Sequence, residues 1–300
     1  MSALVRIVRA GPLATIQDAG RHGLLVHGIS ASGPMDQGAF RQAGALAGAG
    51  SGAGIEMTRA GLDLVIETGA VRISWAGGAF AVRINGAALG WPGAARLSAG
   101  DLLSVTPGSA GNYGYLRFGA RLDLPDVLGS LSTNMRARLG GLEGRALAAG
   151  DRLRFEDGAG EPGPIATAPV EDGPIRFIRG LHWERFSAQV QSQFVGARFR
   201  ISPAMDRMGV RLADEDGVFG GQSILSLVSG PVLPGDIQIL GDGTPIVLMR
   251  DHQPTGGYPR IGTIIGADLD RFAQMRPGSV LAFEPVSVDH AHRLLRSGQT

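Results

Sequence analysis

A repetition inside the chain limits its possible folds more than any other feature. Residues 32–41 read SGPMDQGAFR and residues 202–211 read SPAMDRMGVR, with Ser, Met, Asp and Arg at matching places 170 residues apart. The same offset lays VRIVRA (5–10) on IRFIRG (175–180). A period this long exceeds any solenoid repeat, so the matches imply two similar halves. On that reading Asp36 and Asp206 occupy equivalent places.

A chain of 300 residues accommodates two domains of ordinary size. Residues 156–173, rich in Gly, Pro, Ala and acidic side chains, read as the linker. The expected domains are therefore 1–160 and 174–300. With 48 Gly, 17 Pro and 6% aromatic residues, the chain suits many short strands that reverse direction. Three segments share one turn-and-strand form: AGDLLSV (99–105), AGDRLRF (149–155) and PGSVLAF (277–283). Further strands are expected at 5–8, 63–67, 70–75, 80–84, 113–118, 224–228, 236–240 and 246–249. Helical spacing marks 268–275 and 288–295. Gly33-Pro34 suits a helix over 35–46 with Pro in its first turn, and Ser202 is positioned to cap a counterpart in the second half. The pattern gives a mainly β fold with a few short helices.

All 28 basic residues are Arg. Without Lys the chain has no Walker A lysine, no Schiff-base amine and no attachment point for biotin. Without Cys it has neither disulfides nor thiolate chemistry. A net charge of +1 gives no reason to expect nucleic acid or an anionic membrane as partner. No apolar run is long enough to span a bilayer, and the N-terminal segment lacks a signal-peptide core, so a cytoplasmic location is expected.

Three constellations carry candidate chemistry. Residues 251–262, DHQPTGGYPRIG, gather Asp, His, Gln, Thr, Tyr and Arg around Gly256-Gly257. Backbone N–H groups there, with Gln253 and Thr255, can grip a ligand oxygen, or the loop is a tight turn that satisfies itself. The Ser130, Ser132, Thr133 and Asn134 cluster suits an anion pocket or a helix cap. Asp206, Arg207 and Arg211, like Asp18 with Arg21, suit mutual salt bridges. No metal site is expected, because His290 and His292 have no carboxylates at ligand spacing.

Taken in order, TIQDAGRHG (15–23), SGPMDQGAF (32–40), GSLST (129–133), GRALAAGDRL (144–153), DRMGVRL (206–212), GDIQILGDGTPIVLM (235–249) and QPTGGYP (253–259) resemble the allophanate hydrolase subunit 2, or carboxyltransferase subdomain A/B, family. The resemblance covers nearly the whole chain; among its departures, Gly44 stands where Asn is common. It implies tandem cyclophilin-like β-barrel domains. It further implies a subunit of an ATP-dependent 5-oxoprolinase-type amidohydrolase that opens 5-oxoproline to glutamate. ATP would be held with a partner from the subunit 1 family, similar to the B-type chain of 5-oxoprolinase, alongside a lactam-utilising A-type chain. The alternatives are a carboxyltransferase component for urea, with biotin supplied by another chain, and a non-catalytic regulatory subunit. Under the first reading Arg207, Arg211 and Asp206 are the catalytic candidates. The substrate-binding candidates are Gln17, Asp36, Ser132, Thr133, Gln253, Thr255, Gly256, Gly257 and Tyr258. One of the two Arg is expected to share a cleft with Ser132, Thr133 and the Gly256-Gly257 loop.

Overall fold

The computed structural model describes residues 2–49, 52–156, 161–164, 172–220 and 227–297. Most of the expected linker and the start of the expected strand 224–228 lie outside them. The chain forms two compact units, Met1–His22 with Ala31–Ala168, and Gly23–Ser30 with Pro169–Thr300.

The first unit runs β1 (Ala3–Ala10), β2 (Thr15–Gln17), α1 (Gln37–Ala47), β3 (Gly54–Thr58), β4 (Leu62–Thr68), β5 (Ala70–Gly77), β6 (Ala81–Ile84), β7 (Ala87–Leu89), β8 (Gly93–Ser98), β9 (Leu102–Thr106), β10 (Tyr113–Phe118), β11 (Arg121–Leu122) and β12 (Arg152–Glu156). Seven strands pair in the order β11-β12-β1-β4-β9-β6-β7, and five in the order β2-β3-β10-β5-β8. Strand alternation sends Val5 and Ile7 of β1, Leu64 and Ile66 of β4, and Ile73 and Trp75 of β5 into one core. Every residue of β10 is buried, because core covers one face and α1 packs over the other. Leu116 and Phe118 join the core, while Tyr115 and Arg117 meet Phe40 of α1: Tyr115 edge-on at 5.7 Å between ring centroids, Arg117 over the ring at 4.0 Å.

The second unit runs β13 (Ile175–Arg179), α2 (Ala188–Gly196), β14 (Arg198–Met205), β15 (Gly209–Asp214), β16 (Gly230–Pro231), β17 (Asp236–Ile239), β18 (Pro245–Leu248), β19 (Thr255–Gly256), β20 (Arg260–Ile264), α3 (Gly266–Gln274), β21 (Val280–Pro285) and α4 (Val288–Ser297). Seven strands close a barrel in the order β13-β20-β17-β18-β15-β14-β21, and the parallel pairing of β13 with β21 completes the ring. Phe194 of α2 stacks on Phe283 at 5.0 Å and meets Phe177 and Phe199 edge-on or tilted, forming an aromatic core. Among the described residues no helix is long and apolar enough to cross a membrane.

The fold is mainly β with short helices, as expected. The three recurring turn-and-strand segments become β9, β12 and β21. Each is entered through a left-handed glycine, Gly100, Gly150 and Gly278, with φ of 93, 94 and 89°. Helix α1 starts later than expected: Asp36 caps it by accepting from Ala39 N at 2.8 Å, and Pro34 lies outside.

The equivalence of Asp36 and Asp206 does not hold. Residues 202–205 continue β14, and Ser202 caps no helix; its Oγ accepts from Ala204 N at 3.1 Å. Asp206 instead turns the chain from β14 into β15, accepting from Met208 N at 2.7 Å and Gly209 N at 3.1 Å while its own N–H donates to Gly209 O. The same Met-Asp pair precedes helix formers in one copy and Met-Gly-Val in the other, and those next residues decide whether the carboxylate caps a helix or closes a hairpin. The first helix of the second unit is α2, capped by Ser187, which the sequence pattern did not reveal; α3 and α4 match the helical spacing expected at 268–275 and 288–295.

Candidate functional site

In the first unit residues 18–20, just after β2, and the segment 127–145 meet around Asp18. Its carboxylate accepts from Ser130 Oγ at 2.6 Å, Ser132 Oγ at 2.7 Å, Leu131 N at 2.6 Å and Gly20 N at 2.9 Å. Burial pushes the Asp18 carboxyl up, but the four hydrogen bonds outweigh it and hold the group below the usual Asp value. The expected Asp18–Arg21 salt bridge is replaced by this network: Asp18 faces the serines, and the buried Arg21 guanidinium donates to the carbonyls of Ser132 and Val127. Ser132 thus serves as a tie between loops, and Asn134 steadies the same segment through Ala137 N at 2.9 Å and Ser32 Oγ at 3.2 Å.

Gln17 and Thr133 come together beside this network. Gln17 Nε2 donates to Thr15 Oγ1 at 2.9 Å and to Thr133 O at 3.2 Å, and Thr133 N donates to Ile16 O at 2.8 Å. Two atoms remain: Gln17 Oε1 and Thr133 Oγ1 are buried and have no hydrogen-bond partner among the described residues.

Asp36 is a cap rather than an open carboxylate, and its N–H donates to Tyr115 Oη at 2.8 Å. Tyr115 in turn donates to Glu56 Oε2 at 2.9 Å, which also receives Met35 N at 2.7 Å. Burial, followed by the charges of Glu56 and Asp36, raises the phenol far above its ordinary value, so Tyr115 keeps its proton. Arg117, opposite Gly54 in the β10–β3 pairing, donates to Phe40 O at 3.1 Å. Burial lowers its pKa to about 10, opposed by the charge of Asp18. Glu56, Tyr115 and Arg117 carry no motif signal; only the alternation of polar side chains in two buried strands hints at them.

In the second unit Arg207 and Asp251 form a buried ion pair, so Arg207 is not linked to Asp206. Arg211 is exposed on β15, and Asp206 is the turn residue. Asp251 leads into the Gly256-Gly257 loop. There His252 Nδ1 lies 2.6 Å from Gln253 O, and Gln253 Nε2 is 3.5 Å from Gln238 Oε1. Burial lowers the His252 pKa, which favours the neutral ring. Much of the loop satisfies itself: β19 pairs Gly256 with Gly230, and Gly257 O accepts from Leu227 N at 2.6 Å. Gln238 Nε2 is buried against Gly256 without a partner among the described residues, while Thr255 and Tyr258 are exposed. Ser132 and Thr133 belong to the first unit, and Arg207, Arg211, Gly256 and Gly257 to the second. Among the described residues no three His, Cys, Asp or Glu are grouped to hold a metal ion.

Residues 27–285 match the family model of the carboxyltransferase domain, subdomain A and B. The chain is 35% identical over 294 residues to the C subunit of 5-oxoprolinase from Escherichia coli K12, covering 96% of this chain and 93% of that protein. It is 34% identical over 305 residues to the C subunit of 5-oxoprolinase from Haemophilus influenzae, covering 99% and 96%. Among solved structures, the K. lactis urea amidolyase matches 99% of this chain with a TM-score of 0.86 at 27% identity, and this chain spans 19% of that one.

Proposed function

The chain belongs to the carboxyltransferase subdomain A and B family, and from that premise we propose that it is the C-type subunit of a cytoplasmic, ATP-dependent 5-oxoprolinase complex. The observation that carries this reading is reciprocal coverage: this chain and the E. coli C subunit span each other almost end to end, at 96% and 93%. The reaction adds water across the C5–N bond of the lactam. The water oxygen joins C5, the bond to nitrogen breaks, and nitrogen leaves as the amine of glutamate.

Binding and orienting the uncharged lactam group of the substrate is the part of that reaction suited to this chain. The Asp18 network fixes residues 130–132 against the end of β2, and the Gln17–Thr133 contact presents uncharged hydrogen-bonding groups beside it. The residues present do not fit a triphosphate. The buried Arg21, Arg117 and Arg207 already serve carbonyls or a carboxylate, and the chain has no Lys. The nucleotide is therefore assigned to the complex with a B-type partner. A lactam-utilising A-type chain completes the assembly.

A second reading, a carboxyltransferase acting on a ureido group, draws on the likeness to the urea amidolyase. Biotin would arrive on another chain, because this one offers no Lys for its attachment. Co-purification with the A-type and B-type partners, followed by assays with 5-oxoproline and ATP and with urea and carboxybiotin, separates the two. Glutamate formation that requires ATP and this chain supports the first. Carboxyl transfer without lactam opening overturns it.

A further inference from the structure

We infer that Gln17 and Thr133 form a subsite that reads the cis amide of a lactam or ureide, with Gln17 Oε1 accepting the amide N–H and Thr133 Oγ1 donating to the amide oxygen. The inference deepens the proposed function and rests on its assignment of amide chemistry to the first unit.

The two groups are fixed in complementary senses. Both donor positions of the Gln17 amide are used, toward Thr15 Oγ1 at 2.9 Å and Thr133 O at 3.2 Å, so its oxygen is left as an acceptor. Thr133 spends its backbone N–H on Ile16 O and its carbonyl on Gln17, while its hydroxyl, which is able to donate, stays unmatched among the described residues. Each residue is 0% exposed, and each has one buried oxygen unmatched among the described residues. Unmatched buried polar atoms are rare, and two on residues bonded to one another call for an occupant.

The chemistry of that occupant follows from the pair. A lactam or urea shows N–H and C=O along one edge of the molecule, whereas a trans peptide shows them on opposite edges. One acceptor beside one hydroxyl suits the first arrangement. Ring opening parts the nitrogen from the carbonyl carbon, so the product no longer shows N–H and C=O along one edge and is held less well than substrate at this point.

The cover is the Gly140-Gly141 turn, with φ of 66 and 53°. A Cβ on Gly141 would collide with Thr133 Oγ1, and one on Gly140 with Ser132 O. Arg138 and Glu143 on the same turn are also left-handed, at 54 and 59°. Non-glycine residues held there store strain, which sets this turn apart from the strands that it packs on.

The test uses the complex with its partners and the full-length chain alone. Thr133→Val is expected to raise KM for 5-oxoproline by roughly tenfold or more, the effect of one lost hydrogen bond, without lowering the melting temperature. Thr133→Ser restores KM. On the isolated chain, 2-pyrrolidone and urea are expected to bind by ligand-observed NMR, N-methyl-2-pyrrolidone roughly tenfold more weakly because it offers no N–H to Gln17 Oε1, and Thr133→Val to weaken both lactams alike. Unchanged KM in Thr133→Val beside intact lactam opening overturns the subsite and leaves the proposed function standing. Thr133-dependent binding of 2-pyrrolidone in a complex that opens no lactam does the reverse. Equal binding of the N–H and N-methyl lactams, or no binding of either, overturns the subsite even where the valine variant fails to fold.

Discussion

Arg207 and Asp251 face each other as a two-armed ion pair, Nε to Oδ2 at 2.8 Å and Nη2 to Oδ1 at 3.0 Å, with side chains 3% and 6% exposed. Asp251 N also donates to Arg207 O at 2.7 Å, so the pair joins the β14–β15 hairpin to the start of the glycine loop. Arg207→Ala leaves a buried carboxylate uncompensated and is expected to destabilise the protein by about 3–5 kcal/mol. Arg207→Lys recovers little, since one ammonium cannot replace the fork. Chemical denaturation measures both. A loss under about 1 kcal/mol for Arg207→Ala would return the pair to the class of surface bridges.

Asp18→Asn is expected to cost roughly 2–3 kcal/mol, because the amide cannot accept the four donors that the carboxylate holds. The native pKa is depressed, so this stability is present above the ordinary Asp value of about 3.9 and is lost as pH falls below it. Melting temperatures from pH 6 to pH 3 should fall less steeply in the Asn variant than in the parent. Parallel curves would contradict the assignment.

Arg117 occupies a slot cleared by two glycines. A Cβ on Gly54 would meet Arg117 Cδ and, at 2.5 Å, Leu116 O, whereas one on Gly44 would meet only the guanidinium end, at 2.7 Å from Nη1. Gly54→Ala is therefore expected to destabilise by about 1–3 kcal/mol, and Gly44→Ala by less, since a side-chain tip moves more easily than backbone. Arg117→Met in the Gly44→Ala background should remove the remaining penalty. Equal losses at the two glycines would show that the slot is not what limits them.

His252 takes its proton less readily in the folded protein than in the unfolded chain. Burial is the main cause, and the Gln253 carbonyl, Asp236 and Asp251 oppose it. The unfolded state therefore binds the extra proton first as pH falls through the ordinary His value of about 6.5, and stability declines there rather than on the alkaline side. His182, also lowered by burial, acts in the same direction. His252→Asn should flatten the stability curve between pH 7 and pH 5.5. An unchanged slope would place the titrating group elsewhere.

Some of this was visible in the bare sequence. The AGD and PGS turns announced β9, β12 and β21 because a left-handed glycine before alternating apolar residues is a local signal. The Asp36 and Asp206 segments misled for the same reason in reverse: a shared Met-Asp pair says little when the residues after it choose between helix and hairpin. Asp18 and Ser130 are 112 positions apart. The Arg117 slot draws on α1, β3 and β10 together. No window of sequence contains those contacts. Gln17 and Thr133 could be named as candidates, but their mutual hydrogen bond and unmatched oxygens exist only once β2 lies against residues 130–133.

If this chain takes part in ATP-driven opening of a lactam, its presence must decide whether ATP use yields glutamate. The most direct measurement is the ratio of glutamate formed to ADP released when 5-oxoproline is supplied to the complex reconstituted with and without this chain. Coupled formation of both products is expected in the full complex. Without this chain glutamate is expected to vanish, whether or not some ADP release persists. Undiminished glutamate formation without the chain, or glutamate formed without ATP, would contradict that role.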